Sequence, residues 1–311
     1  MSHSIVITEF MDTAAVERLH AAHPTLYDPG LLDAPERLAG ALAAARALVV
    51  RNRTQVDAAL LAQGPGIRVI GRLGVGLDNI DLRACRARGV EVISATGANA
   101  DSVAEYVIIA TGMLLRGAFT ATVEVAAGAW PRARLSAGRE MAGKTMGIVG
   151  FGDIGRRVAR LARAFGMAVI AHDPVLPNDH SGWTETPVER VGLDALFASA
   201  DAVTLHVPLT PATRGLVSAE RLALMKPDAV LVNTSRGSVV EEAALAAALR
   251  AGRLGGAALD VFETEPLPAG TPLADCPNLL LTPHVAGVTA ESNSRISTLI
   301  AERVLMALAM A

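Results

Sequence analysis

Two kinds of segment alternate along this chain. Short, nearly unbroken aliphatic runs take turns with longer Ala/Leu/Arg stretches whose apolar positions recur every three or four residues. The first kind fits strands buried in a sheet and the second fits amphipathic helices. Residues 5–8, 47–51, 67–71 and 91–93 read as strands, with helices over 12–22, 55–62 and 79–88. Residues 101–116 then read as one long helix, which Asp101 or Ser102 can cap. The pattern loosens over 128–143, a segment with Trp130-Pro131 and several arginines. It resumes with strands over 145–149, 168–172, 202–206, 229–233, 256–259 and 279–282. Helices over 154–165, 193–199, 218–224 and 241–251 separate them, and a last helix runs from about residue 290 to the C-terminus.

This rhythm predicts βα units and parallel sheets, hence an α/β fold. It occurs twice, so the halves are alike in architecture although no short repeat links them in sequence. A chain of 311 residues suits two domains. Apolar residues make up 51% of it but aromatics only 3%, so the core must be aliphatic. The net charge of −3 offers neither a basic field for nucleic acid nor a polybasic membrane anchor. Cys85 and Cys276 stand far apart, the usage of a reducing compartment. The first eight residues lack the basic and apolar regions of a signal peptide. No apolar run reaches the roughly 18 residues of a membrane span. The expectation is a cytoplasmic protein with no nucleic-acid or membrane partner.

The strongest local signal is Gly150, Gly152 and Gly155, a G-x-G-x-x-G between an apolar strand and a helix. The first glycine permits a tight turn, the second lets backbone approach a pyrophosphate, and the third lets helix and strand pack closely. The helix start, at Asp153 and Ile154, offers N–H groups and partial positive charge to phosphate. Asp173 ends the next strand at the expected distance of about 20 residues. Its carboxylate can accept ribose hydroxyls and repel the extra phosphate of NADP. No Arg or Lys lies between Asp173 and Gly182 to accept that phosphate, so the reading favours NAD. Asp173 could instead merely start an Asp-Pro turn. The Asp153 carboxylate is awkward beside a phosphate, unless it points outward with Arg156 and Arg157 compensating it.

Three further strand ends carry chemistry: residues 232–237 with Arg236, 259–266 with Asp260 and Glu265, and 281–287 with His284. Strand C-termini are where an open parallel sheet places its ligand. Arg236 can hold a carboxylate bidentately and polarise a neighbouring carbonyl. His284 can exchange the hydroxyl proton, since imidazole titrates near neutrality. Glu265 can bond the other ring nitrogen and fix its tautomer. The bland alternatives are a surface arginine, an exposed loop carboxylate and a capped core histidine.

Taken in order, Gly-Lys-Thr-x-Gly-Ile-Val-Gly-Phe-Gly from Gly143, Asn-Thr-Ser-Arg-Gly from Asn233, Leu-Asp-Val-Phe-Glu-x-Glu-Pro from Leu259 and Pro-His-Val-Ala-Gly from Pro283 are highly specific. They make the chain resemble the D-isomer-specific 2-hydroxyacid dehydrogenase family over essentially its whole length. The resemblance implies two Rossmann-like, doubly wound parallel-sheet domains. An NAD domain over 100–285 would be inserted in a substrate domain formed by 1–99 and 286–311. It gives Arg236, Glu265 and His284 the catalytic roles just derived. The implied NAD contacts are Gly150, Gly152, Asp153, Ile154, Gly155, Asp173, Val207, Thr234, Ser235, Asp260, His284 and Gly287, with Asp260 near the nicotinamide amide. No metal ligand set is implied. A homodimer is implied, formed through the long helix and the Trp130 segment.

The string from Ile70 to Asp81 resembles the family's substrate-carboxylate loop, in which main-chain N–H groups around Val75 and Gly76 form an anion nest. Arg72 precedes them, and Arg51 and Arg53 follow a predicted strand of the same domain. Three arginines near such a nest suggest a substrate with a second anionic group. Phosphoglycerate dehydrogenases of the family carry similar arginines, and sulfolactate dehydrogenases look closer still. The expected substrate is 3-sulfolactate before 3-phosphoglycerate, with a generalist 2-hydroxyacid dehydrogenase as the alternative. Arg51 and Arg53 could instead be solvated or paired with acids. An NAD-sensing, protein-binding module is the competing class. A formate dehydrogenase is disfavoured, because that branch has Gln where this chain has Glu265.

Overall fold

A computed structural model describes residues 3–310. Met1, Ser2 and Ala311 lie outside the described residues; the reading of the N-terminus and of the end of the last helix partly falls on them. The chain divides into two compact units, Met1–Asn99 with Val288–Ala311, and Ala100–Gly287.

The first unit is built on β1 (Ile5–Ile7), β2 (Thr25–Tyr27), β3 (Ala47–Val50), β4 (Val69–Arg72) and β5 (Glu91–Ser94). Every pairing is parallel, in the order β2-β1-β3-β4-β5. This is the order of a flavodoxin-like, doubly wound sheet. Strands β1 and β3 are buried at every position, because both sheet faces are covered. Side chains alternate between two cores, as a pleat requires. Ile5, Ile7, Ala47 and Val49 join one, with Ile300 and Val304 of the helix Ala290–Met310. Val6, Leu48 and Val50 join the other, with Leu42, Leu61 and Ile70. Each fully buried aliphatic side chain contributes roughly 1.5–3 kcal/mol.

The second unit holds β6 (Thr145–Val149), β7 (Ala168–His172), β8 (Glu189–Arg190), β9 (Ala202–Leu205), β10 (Val230–Asn233), β11 (Gly256–Leu259) and β12 (Leu279–Leu281). Their order is β12-β11-β10-β9-β6-β7-β8, all parallel. The order reverses between β6 and β9, the switch point where a doubly wound sheet binds its ligand. Val230, Val232 and Ala258 face one core with the helix Ala100–Arg116, while Leu231, Ala257 and Leu259 face the other. Both sheets are of the parallel α/β kind expected.

The expected strands and helices form, usually within one or two residues. Several elements had no sequence signal. Strand β8 is exposed at both positions and β2 is buried at only one of three, so neither is an apolar run. The helix Pro35–Leu42 was also missed; only Leu38 and Leu42 of its eight residues are buried. The loose segment contains a short helix, Arg132–Leu135. Asp101 and Ser102 do not cap the long helix. It starts at Ala100, so Asp101 lies in its first turn and Ser102 is buried. Among the described residues no single helix is long and apolar enough to cross a membrane.

Candidate active site

The glycine-rich loop separates two reasons for glycine. A Cβ on Gly150, whose φ is +91°, would lie 2.4 Å from the His206 carbonyl oxygen. One on Gly155 would lie 2.3 Å from the Gly150 carbonyl oxygen. Packing therefore demands both. A Cβ on Gly152 would meet nothing within 4 Å. Gly152 precedes the helix Asp153–Ala164, whose first-turn N–H groups have no intrahelical partner. An open backbone approach to a helix start fits a dinucleotide pyrophosphate. Asp153 does not compete with it. Its carboxylate turns along the helix onto Arg157, whose Nε also holds Asp101 Oδ1 at 2.6 Å. Ile154 is half-buried against the core.

Asp173 does more than start a turn. Its Oδ1 accepts from Val175 N at 2.9 Å and Leu176 N at 3.0 Å, while Oδ2 accepts from Phe151 N in the glycine loop at 2.8 Å. Three of about four carboxylate lone-pair positions are thus used, leaving capacity for a ribose hydroxyl. Asp173 lines a depression of about 390 Å³ with His172, Pro174, Arg190, Val191 and Gly192. Arg190 lies beyond the stretch from Asp173 to Gly182 that holds no Arg or Lys. Its guanidinium is 4.4 Å above the Trp183 ring and bonds Asn178 Oδ1, and Trp183 stacks on Phe151 with centroids 4.6 Å apart. At the switch point, burial pushes the His206 imidazole down to about 3, so it is neutral; its Nε2 lies 3.0 Å from Thr204 Oγ1. Val207 follows, half-buried.

At the end of β10, Asn233 shapes the turn that carries Arg236. Its Oδ1 accepts from Ser235 N at 3.0 Å and Ser235 Oγ at 2.8 Å, and its Nδ2 donates to Arg236 O at 2.9 Å. Arg236 Nη1 donates to Ser235 O at 2.6 Å. A Cβ on Gly237 would lie 1.8 Å from the Phe262 carbonyl carbon, so glycine lets this turn seat against the 259–265 segment. Thr234 Oγ1 is buried without a hydrogen-bond partner among the described residues. An unanswered hydroxyl at a strand end suits a polar ligand group.

Glu265 and His284 come together. Glu265 Oε2 lies 2.8 Å from His284 Nδ1, and Glu265 Oε1 accepts from Phe262 N at 3.0 Å. A carboxylate only accepts, so Nδ1 carries a proton and Nε2 is the ring nitrogen left to exchange one. His284 has a φ of +56°, which a non-glycine residue adopts only when its surroundings hold it there. Asp260, 1% exposed, supplies that hold. Its carbonyl accepts from His284 N at 2.8 Å. Oδ1 accepts from Val285 N at 2.8 Å and Thr282 Oγ1 at 2.6 Å, and Oδ2 accepts from Ala286 N at 2.8 Å. Thr282 spends its one proton on Asp260, so Tyr106 Oη, 2.7 Å away, is the donor to Thr282. Burial pushes that phenol up. The sequence reading gave Asp260 a ligand contact and missed this role; Asn233, Thr282 and Tyr106 were not singled out. Gly287 ends this unit.

In the first unit, Leu73 N and Gly74 N donate to Val50 O and Arg72 O, whereas Val75 and Gly76 N–H donate to none of the described residues. The Arg72 guanidinium folds back over this loop, 1.5 Å from where a Gly74 Cβ would stand, and the Gly74 φ of +153° itself favours glycine. Arg51 is half-buried, donates to Asn293 Oδ1 at 2.9 Å and lies 5.9 Å from the Phe10 ring centre. Burial pushes its guanidinium down, against the pull of Glu9. Arg53 is exposed, 3.5 Å from Asp33 Oδ1.

Residues 108–286 match the family described as the D-isomer specific 2-hydroxyacid dehydrogenase, NAD binding domain. The chain is 52% identical to the (S)-sulfolactate dehydrogenase of Chromohalobacter salexigens over 304 residues, 98% of each chain. It is 41% identical to the hydroxypyruvate reductase of Thermotoga maritima, over 83% of each chain. It is 42% identical to the D-3-phosphoglycerate dehydrogenase of Mycobacterium leprae, over 89% of this chain and 52% of that one. Among solved structures, the TT0316 protein from Thermus thermophilus superposes with a TM-score of 0.89 at 33% identity, over 98% of this chain and 97% of that one.

Proposed function

The chain belongs to the D-isomer specific 2-hydroxyacid dehydrogenase family, and on that premise we propose that its substrate is a 2-hydroxy acid with a second anionic group on C3, 3-sulfolactate before 3-phosphoglycerate. The reaction class is NAD-dependent oxidation of a 2-hydroxy acid or reduction of its 2-oxo partner. The observation that carries the substrate reading is the trio of guanidiniums in the first unit. Arg72 lies over the loop with the open Val75 and Gly76 N–H groups, and Arg51 and Arg53 stand on the neighbouring strand end. A nest holds the C1 carboxylate, and guanidiniums suit a sulfonate or phosphate. The extensive likeness to a sulfolactate dehydrogenase supports the order of preference.

Bound NAD supplies the hydride chemistry. The chain's own residues then have distinct tasks. Arg236 grips the carboxylate and polarises the adjacent C2 oxygen. His284 Nε2 takes the hydroxyl proton on oxidation and returns it on reduction. Glu265, on Nδ1, fixes the ring and balances the imidazolium that forms. Gly152 and the helix start behind it accommodate the pyrophosphate, and Asp173 the ribose.

A panel of sulfolactate, 3-phosphoglycerate, lactate, glycerate and malate, read by NADH absorbance, tests this reading. Sulfolactate is expected to turn over faster than lactate, with the gap narrowing in Arg51→Ala or Arg72→Ala. A faster lactate rate, or a gap neither substitution touches, would remove the second anion. Tight NADH binding with no turnover on any of them would favour an NAD-sensing, protein-binding module. The proposal extends to a cytoplasmic homodimer. Ile109, Phe119, Val123 and Trp130, all well exposed on and after the long helix, support a self-association face. A monomeric mass by sedimentation at micromolar concentration would count against it.

A further inference from the structure

We propose that Glu9 is a positioning residue that fixes the arginine-bearing turn 51–54 and so sets the preference for a substrate with a second anion; this rests on the reading that these arginines meet that anion. Strands β1 and β3 pair in parallel with Ile7 opposite Val49, which brings Glu9 level with Arg51 just beyond the strand ends. There the Glu9 side chain, 6% exposed, answers four consecutive main-chain donors. Oε1 accepts from Arg51 N at 2.8 Å, Thr54 N at 3.0 Å and Thr54 Oγ1 at 2.8 Å. Oε2 accepts from Asn52 N at 3.2 Å and Arg53 N at 3.0 Å. Converging N–H groups of this kind form an anion site, and here the anion is internal. Burial alone would raise the Glu9 carboxyl, but these hydrogen bonds hold it below the usual carboxylate range.

The other side of the turn is tied as well. Asn79 Nδ2 donates to Thr54 O at 2.7 Å and Arg51 O at 3.3 Å, and Asn79 O accepts from Val56 N at 2.8 Å. Asn79 belongs to the same motif as the Val75–Gly76 loop, so one buried amide joins the two predicted substrate segments. With its N–H groups and these two carbonyls engaged, the turn cannot take a substrate anion through its backbone. Only its side chains can. Arg51 and Arg53 leave from fixed Cα positions, which lowers the ordering cost of using them.

The test is the ratio of kcat/KM for 3-sulfolactate to that for lactate, with NAD, in Glu9→Gln and Glu9→Ala. Gln places an amide donor against N–H groups, so the ratio is expected to fall about tenfold, with the lactate value within about twofold of wild type. In Glu9→Ala, added acetate is expected to refill the nest and restore the ratio, with no effect on wild type. Four results would overturn the inference: an unchanged ratio in folded Glu9→Gln, an equal loss on both substrates, an acetate-insensitive Glu9→Ala, or a wild-type ratio near one. The last would also strike the substrate reading; the others leave it standing. Should Glu9→Gln or Glu9→Ala not fold, Glu9→Asp keeps the charge on a shorter stem. Its ratio must then fall, and an unchanged one counts against Glu9.

Discussion

The turn at 51–54 and the loop at 150–155 follow central strands of their two sheets, β3 and β6, and both gather main-chain N–H groups. They are finished in opposite ways. In the first, Glu9 fills the nest from inside the protein, and the charge left to act is carried by guanidiniums. In the second, Asp173 ties only Phe151 N, and the helix start at Gly152 stays open. A filled nest makes a rigid base for side chains that can discriminate among anions. An open one leaves backbone to approach a pyrophosphate common to every turnover. On the proposed reading, the same local device serves specificity in one unit and cofactor binding in the other.

The contrast can be broken from either end. The larger effect belongs to the open loop. In Gly152→Ala the new methyl meets no protein atom, so thermal stability is expected to stay at the wild-type value. NADH affinity, read by fluorescence titration, is expected to fall at least about tenfold, because the methyl enters the space the pyrophosphate uses. Gly150→Ala and Gly155→Ala put theirs against carbonyl oxygens instead, and are expected to lose stability as well. A Gly152→Ala protein that binds NADH normally would mean that the open backbone is not a phosphate site. The smaller effect belongs to the filled turn. Glu9→Gln is expected to alter the ratio between two substrates and to leave NADH affinity alone, which sharpens the division between the units.

The sequence carried the features that chemistry imposes on short segments: the glycine triplet, the strand-end Arg236, Glu265 and His284, and the aliphatic runs of buried strands. The supports were hidden because they act at long separation through polar atoms. Nothing local to Glu9 says that it will meet residues 51–54; the β1–β3 register decides it. Asp260 reads in the sequence as a ligand contact; that its carboxylate also holds the backbone of 285–286 and receives the Tyr106–Thr282 chain is decided by the fold. Strand β8 escaped because an exposed two-residue edge strand has no apolar signature.

In the proposed mechanism Arg236, with the Glu265–His284 pair, performs the 2-hydroxyacid chemistry, and NAD binds independently of Arg236. Initial rates with 3-sulfolactate and NAD in wild type and Arg236→Ala, with NADH affinity titrated on the same preparations, test it most directly. The expected result is a fall in kcat/KM of about a thousandfold, with the NADH Kd within about twofold of wild type. Equal turnover in the two proteins, or a loss explained entirely by weaker NADH binding, would contradict it.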